Sequence, residues 1–281
     1  MSRSSPGVAR VAAILNFIAD HPGQAFALTD LVRALKLSRA TCHALLTGLV
    51  DVGYLYRTTD KTYVLGPALA AIGRTAADHF SPLQVAQPEM RSLADEFDVV
   101  CGAYFLESDT IHLRERAASL SHVGYPVPLG TRMPLRWIQA MSFFARSPRE
   151  AESWIARAEP DLGPEQLDLF RGGLDFVREH GFIALVRRPG TAAMDEVQGI
   201  GAGTEDPPVV PQLTLQDDKV YPLMALMAPI YDSRNRVTIS LVMAGFHGAM
   251  TGPKVTEAGR RLAEACERIS VFLSGRAASA D

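Results

Sequence analysis

The stretch Leu37–Leu55, LSRATCHALLTGLVDVGYL, constrains the fold of this chain more than any other. Ser38 stands where an N-cap belongs, and Gly53 stands where a left-handed residue ends a helix. Between them Cys42, Leu45, Leu46, Leu49 and Val52 recur at helical spacing and predict one buried stripe. Arg39, Ala40, His43 and Thr47 fall on the opposite side. The adjacent pair Cys42 and His43 therefore divides between two environments, because neighbours on a helix point about 100° apart.

The flanking segments extend this pattern. Val8, Val11, Ile14, Leu15 and Ile18 predict an amphipathic helix up to Ala19, broken by HPGQAF. Thr29 then caps a short helix, Asp30 to Leu35, with an acid in its first turn. Two short helices joined by Lys36–Ser38 form a helix-turn-helix. After Gly53, YLYRTTDKTYVLG alternates about a polar centre and predicts a hairpin turning near Thr59–Lys61, with Tyr54, Tyr56 and Tyr63 packing it on the helices. Three helices and a hairpin make a winged helix-turn-helix.

Such a helix enters the major groove of DNA by its N-terminal residues. Arg39 then reaches guanine or phosphate, Thr41 and His43 donate to bases or backbone, Ala40 meets a thymine methyl, and Thr47 lies on the same face. Arg57 and Lys61 on the wing suit phosphates or the minor groove. The competing readings are a solvated helix face and a hairpin charged for solubility. Charge distribution favours contact with a polyanion: residues 1–66 hold seven Lys/Arg against four Asp/Glu, net +3, and the remaining residues hold 21 against 27, net −6.

Beyond the hairpin, PALAAIGRTAADHF predicts a connecting helix, which SPLQVAQP breaks before a further helix from Glu89 to Phe97. VVCGAYFLES and TIHLRERA are β-prone, turning near Asp109. PLRWIQAMSFFA, Glu150–Arg157 and Glu165–His180 return to helical spacing. Two apolar strands, YPLMALMAPIYD and VTISLVMAGFHG, precede a closing helix from Val255 to Leu273. Helices on a mixed antiparallel sheet follow, an α+β arrangement. Residues 189–218, rich in Gly, Pro and acids, predict a long loop, either a functional lid or a mobile segment. The expected division is residues 1–66 as the winged head, 67–80 as a linker helix and 81–281 as the second domain.

Several classes are excluded. With 47% hydrophobic and 21% charged residues the composition is globular. No apolar run approaches the roughly 18 residues of a membrane span, and the N-terminus lacks a signal-peptide cleavage pattern. Cys42, Cys101 and Cys266 are odd in number and widely spaced, which predicts free thiols in a reducing cytoplasm. There is no GxSxG, HExxH or P-loop, and GIGAG (Gly199, Gly201, Gly203) lacks the strand and helix of a nucleotide fingerprint. The seven histidines, His21, His43, His79, His112, His122, His180 and His247, show no ligand spacing, so neither metal nor cofactor is expected. An enzyme with an accessory head is the weaker alternative, because no catalytic constellation appears.

LVRALKLSRATCHALLTGLVDVGYL followed by KTYVLG resembles the winged-helix head of IclR-type bacterial transcriptional regulators. That family's usual run of leucine, proline, Lys/Arg, serine, threonine, aliphatic, histidine, arginine, leucine, leucine falls on Leu37 to Leu46. Ala40 and Ala44 replace a hydroxyl and a cation that often contact DNA. PLGTRMPLRWIQAMSFFA, EHGFIAL and APIYDSRNRVTISLVMAGF are similar to segments of the family's GAF-like effector-binding domain. The resemblance spans roughly residues 8–275.

The resemblance implies a cytoplasmic, non-enzymatic DNA-binding regulator, a homodimer or homotetramer on double-stranded operator DNA. A small-molecule effector would modulate operator binding; a ligand-independent DNA-binding or interaction module is the alternative. It places the effector among Cys101, Tyr104, Met133, Arg136, Trp137, Ala140, Ala225, Val242 and Ala244. Where the family's last strand often carries serines, this chain has Leu241–Gly245, and Leu223–Met227 is equally apolar. A hydrophobic or aromatic metabolite follows, with Arg136 able to pair with a carboxylate on it.

Overall fold

The computed structural model describes residues 5–19, 21, 23–79, 82–122, 127–159, 161–188 and 208–274. The predicted Gly199–Gly203 run and most of the predicted long loop lie outside these residues. The chain divides into two compact units, 1–81 and 82–281.

The first unit contains α1 (Pro6–Ala19), β1 (Phe26–Ala27), α2 (Leu28–Leu35), α3 (Arg39–Asp51), β2 (Leu55–Arg57), β3 (Thr62–Leu65) and α4 (Pro67–His79). Its core joins Ile14, Ile18, Leu31, Cys42, Leu46, Leu49, Leu55 and Tyr63. The stripes predicted for α1 and α3 run one position too far. Val8 and Val52 are exposed, Val52 by 58%, because each lies at the helix end that projects past the core. Tyr56 is likewise exposed, since Leu55 takes the inward position on β2.

Helix α2 begins at Leu28, one residue before the predicted Thr29 cap. Phe26 and Ala27 pair with Tyr63 and Thr62 as a third strand of the wing sheet, ordered β1-β3-β2. The Asp30 carboxylate accepts the Ala27 N–H at 2.9 Å and satisfies the start of the helix. Two strand residues are too few to show a period, so this edge was not legible.

Helix α3 ends in paired hydrogen bonds, Tyr54 N–H to Leu49 O at 2.9 Å and Gly53 N–H to Val50 O at 3.0 Å, with Gly53 at φ 74°. The wing returns against this corner through Gly66 N–H to Tyr54 O at 2.8 Å. A Cβ on Gly66 would lie 2.2 Å from the Gly53 carbonyl oxygen, so only glycine fits.

In the second unit α5 (Pro82–Phe97) leads to β4 (Val100–Glu107), β5 (Thr110–Ala118) and β6 (Arg132–Pro134). Helices α6 (Trp137–Phe144), α7 (Pro148–Ala158) and α8 (Pro164–His180) follow, then β7 (Ile183–Arg187) and β8 (Val209–Gln212). The chain continues through β9 (Val220–Tyr221), β10 (Leu223–Tyr231), β11 (Val237–Ala244) and β12 (Met250–Thr251) to α9 (Gly252–Leu273). Strand β8 occupies part of the predicted loop. Among the described residues the main sheet is antiparallel, ordered β6-β5-β4-β11-β10-β7-β8.

Helices α5 and α9 pack together on this sheet, and α6 and α8 form a second packed pair on it. Helix α5 runs unbroken through Pro88, against the predicted break. An interior proline costs about 3 kcal/mol, and the burial of Ala86, Met90, Leu93 and Ala94 against the sheet offsets it. Paired guanidinium–carboxylate contacts, Arg268 to Glu89 (2.9 and 2.7 Å) and Arg261 to Glu96 (3.1 and 2.9 Å), tie α9 to α5.

Gly66→Ala should destabilise the first unit by about 2 kcal/mol, within the range for overpacking against atoms that cannot yield. Urea denaturation of the full chain, with hydrogen exchange to locate the loss, checks this.

Candidate nucleic-acid interface and second-domain recess

Ser38 holds the start of α3 in place. Its Oγ accepts the Thr41 N–H at 3.1 Å and donates to Thr41 Oγ1 at 2.8 Å. Arg39, Ala40, His43, Ala44 and Thr47 all stand exposed on the face away from the core. Thr41 is half-buried, its hydroxyl oxygen engaged by the cap. Thr47 Oγ1 donates to His43 O at 3.0 Å, so toward DNA it offers lone pairs rather than a hydrogen. Cys42 is fully buried and burial raises its thiol pKa, which removes it from chemistry at neutral pH.

On the wing, Thr58 and Thr62 close the turn with a 2.6 Å hydroxyl contact. Lys61 sits at the tip with φ 60°, exposed beside Asp60. The Arg57 guanidinium carbon lies 6.0 Å from the centre of the Tyr63 ring, with the side chain exposed. The first unit thus brings Arg39 and His43 together on one helix and carries Arg57 and Lys61 on the hairpin.

The second unit holds a small recess lined by Tyr104, Ile111, Met133, Gln139, Phe143, Met227, Ser240 and Val242, with about 10 Å³ open to the centre of a water-sized sphere. Three of the nine predicted effector residues, Tyr104, Met133 and Val242, line it. Strand alternation explains most of the rest. Ser240 pairs with Tyr104 in the ladder and meets Ser142 of α6 at 2.8 Å, so this parity faces α6. Cys101 pairs with Met243 on the other parity and lies near Cys266 of α9; burial raises its thiol to about 12. Ala225 and Ala244 pair with each other two rungs beyond Met227 and Val242, outside the recess.

On α6 the recess takes Gln139 and Phe143, one turn apart, and leaves Trp137 and Ala140 buried elsewhere. Arg136, expected to be able to pair with an effector carboxylate, pairs with Glu159 at 3.2 Å. Burial raises the Glu159 carboxyl pKa, and the Arg136 charge opposes that shift. The sequence reading missed Gln139 and Ser240, the polar side chains lining the recess. Pairing Ser240 with the Tyr104 register would have found the second of them, but register is not legible in one strand alone.

The first unit is a winged helix-turn-helix, a fold of DNA-binding domains, and the second is a helix-flanked antiparallel sheet. Residues 7–59 match the IclR helix-turn-helix domain. The HTH-type transcriptional regulator KipR of Bacillus subtilis (strain 168) is 22% identical over 270 residues, covering 96% of this chain and 98% of KipR. The structure of Pseudomonas aeruginosa HmgR matches with TM-score 0.58 at 20% identity, over 96% of this chain and 98% of that one. The Agrobacterium tumefaciens repressor BlcR matches with TM-score 0.57 at 15% identity, over 98% and 100%. The chain is thus similar to IclR-family transcriptional regulators, and its residues 7–59 carry the family's helix-turn-helix domain. No helix among the described residues is long and apolar enough to cross a membrane.

Ser38→Ala should cost the first unit about 1 kcal/mol, the usual price of a lost N-cap. A lower urea midpoint with an unchanged slope is the expected result.

Proposed function

We propose that this regulator binds double-stranded operator DNA through Arg39, Ala40, Thr41, His43 and Thr47 of α3, with Arg57 and Lys61 of the wing on the backbone. The observation carrying this reading is the exposed face of α3, where Arg39 and His43 stand in solvent opposite the buried Cys42, Leu46 and Leu49. The net +3 of residues 1–66 supplies the attraction to phosphate. With Ala40 and Ala44 on that face, few side chains carry base discrimination, and Arg39 carries the largest share.

The second unit, from residue 82 onward, binds a small apolar or aromatic effector at the recess and does not catalyse a reaction. Ile111, Met133, Phe143, Met227 and Val242 supply apolar wall, and Gln139 and Ser240 supply polar groups for orientation. The free volume admits no more than about one water, so an effector enters by displacing side chains. Met133 and Met227 are suited to this, because their unbranched thioethers repack easily. Effector binding then alters operator affinity by a coupling of about 1–3 kcal/mol. The chain works in the cytoplasm as a homodimer or homotetramer, consistent with exposed Val8 and Ile72 on the first unit.

The nearly filled recess also favours a second reading, a DNA-binding module that responds to no ligand. A thermal-shift panel of aromatic and polycyclic compounds decides between them. Stabilisation by members of that panel, absent in Met227→Trp, supports the effector reading; no stabilisation by any compound supports the module. Stabilisation by a small polar acid alone overturns the apolar pocket. In gel shifts with DNA from upstream of its own gene, Arg39→Ala should weaken binding about tenfold and His43→Ala somewhat less. Unchanged affinity in both removes α3 from recognition.

A further inference from the structure

Three adjacent strand ends of the second unit bring Asp98, His122 and His247 together. Asp98 lies between α5 and β4 with φ 50°. His122 ends the 3-10 turn Leu120–His122 that follows β5, and His247 lies between β11 and β12. Strands β5, β4 and β11 are consecutive in the sheet, with Val100 paired to both Ala118 and Ala244, so the rungs fix these ends side by side. One donor atom from each of the three residues lies within 4.8 Å of the other two.

The surroundings orient these groups. His122 Nε2 is 2.7 Å from Gly245 O. A carbonyl only accepts, so Nε2 carries a hydrogen, and Nδ1 meets the Ser119 and Ser121 hydroxyls at 3.0 and 2.9 Å, contacts that an ion bound at Nδ1 would displace. That Nδ1 is 3.9 Å from Asp98 Oδ1, and His247 Nε2 is 3.6 Å from Asp98 Oδ2. Ser121 donates to Asp98 Oδ1 and leaves Oδ2 on the side of His247. The two imidazoles approach with ring centres 4.7 Å apart, an arrangement that repels if both are protonated. The His122 side chain is only 9% exposed, whereas His247 and Asp98 remain open to solvent.

We propose that Asp98, His122 and His247 bind a divalent transition-metal ion of the zinc type, with a fourth position open to water. A ring N–H donated to a backbone carbonyl, and a carboxylate held by a hydroxyl, are the outer contacts that orient metal ligands. Metal–ligand bonds of about 2.0–2.2 Å in tetrahedral geometry place donors about 3.3–3.5 Å apart. The exposed His247 closes the remaining gap by a small side-chain movement. Two neutral imidazoles and one carboxylate suit zinc, whereas magnesium prefers oxygen donors and keeps its waters. The ion joins three strands, β4, β5 and β11, that also line the recess. The assignment is independent of what the recess binds.

The test uses the untagged full chain, freed of metal by chelation. Titration calorimetry with Zn(II) should show one equivalent bound, and Co(II) should give the visible absorption of a tetrahedral site. His247→Ala, an exposed position whose change leaves the core intact, should weaken Zn(II) binding at least tenfold, and Asp98→Asn should do likewise. Zn(II) should raise the melting temperature of the native chain and not that of His247→Ala. Absence of Zn(II) binding overturns the proposal, as does equal binding by both variants, which would put the ion elsewhere on the chain.

Discussion

The antiparallel ladder joining β4, β11 and β10 is the constraint on which the second unit depends. Once Tyr104 is set opposite Ser240, and Val242 opposite Met227, every residue of these strands is assigned to one face or the other. One parity meets α6 and forms the recess; the other carries Cys101 toward Cys266 of α9. The same rungs align the strand ends that bear Asp98, His122 and His247. A single-residue slip would dismantle both places at once.

The first unit rests on a different device, two helix ends that leave no freedom to the segment between them. The Ser38 hydroxyl fixes where α3 begins, and the Gly53 corner fixes where it stops and where the wing departs. With both ends set, burial of Cys42, Leu46 and Leu49 determines the rotation of the helix about its axis. Arg39 and His43 face outward as a consequence of that rotation. The chemistry of the exposed face thus follows from packing on the opposite side of the same helix.

Most of the first unit was legible in the sequence, because helical periodicity, caps and a hairpin act over a few residues. The errors fall where local pattern competes with its surroundings. Val8 and Val52 continue a stripe beyond the reach of the core, and Phe26–Ala27 is too short a strand to show alternation. Pro88 reads as a helix break, yet the buried face of α5 carries the helix through it. In the second unit the element order was legible and the recess was not. Cys101 and Tyr104, three residues apart on one strand, were expected on the same side, and the ladder separates them. Arg136, read as able to pair with an effector carboxylate, is held by Glu159, from a different helix terminus.

The sequence by itself determined the winged head, the position of α3 and the split of Cys42 from His43, since each depends on interactions within about one helical turn. Only the tertiary structure decided which side chains line the recess and which histidines meet. Those outcomes depend on strand register and on loops that approach one another across the sheet, as His122 and His247 do. Seven scattered histidines look alike along the chain; the ladder distinguishes two of them by bringing their rings to 4.7 Å with a carboxylate between.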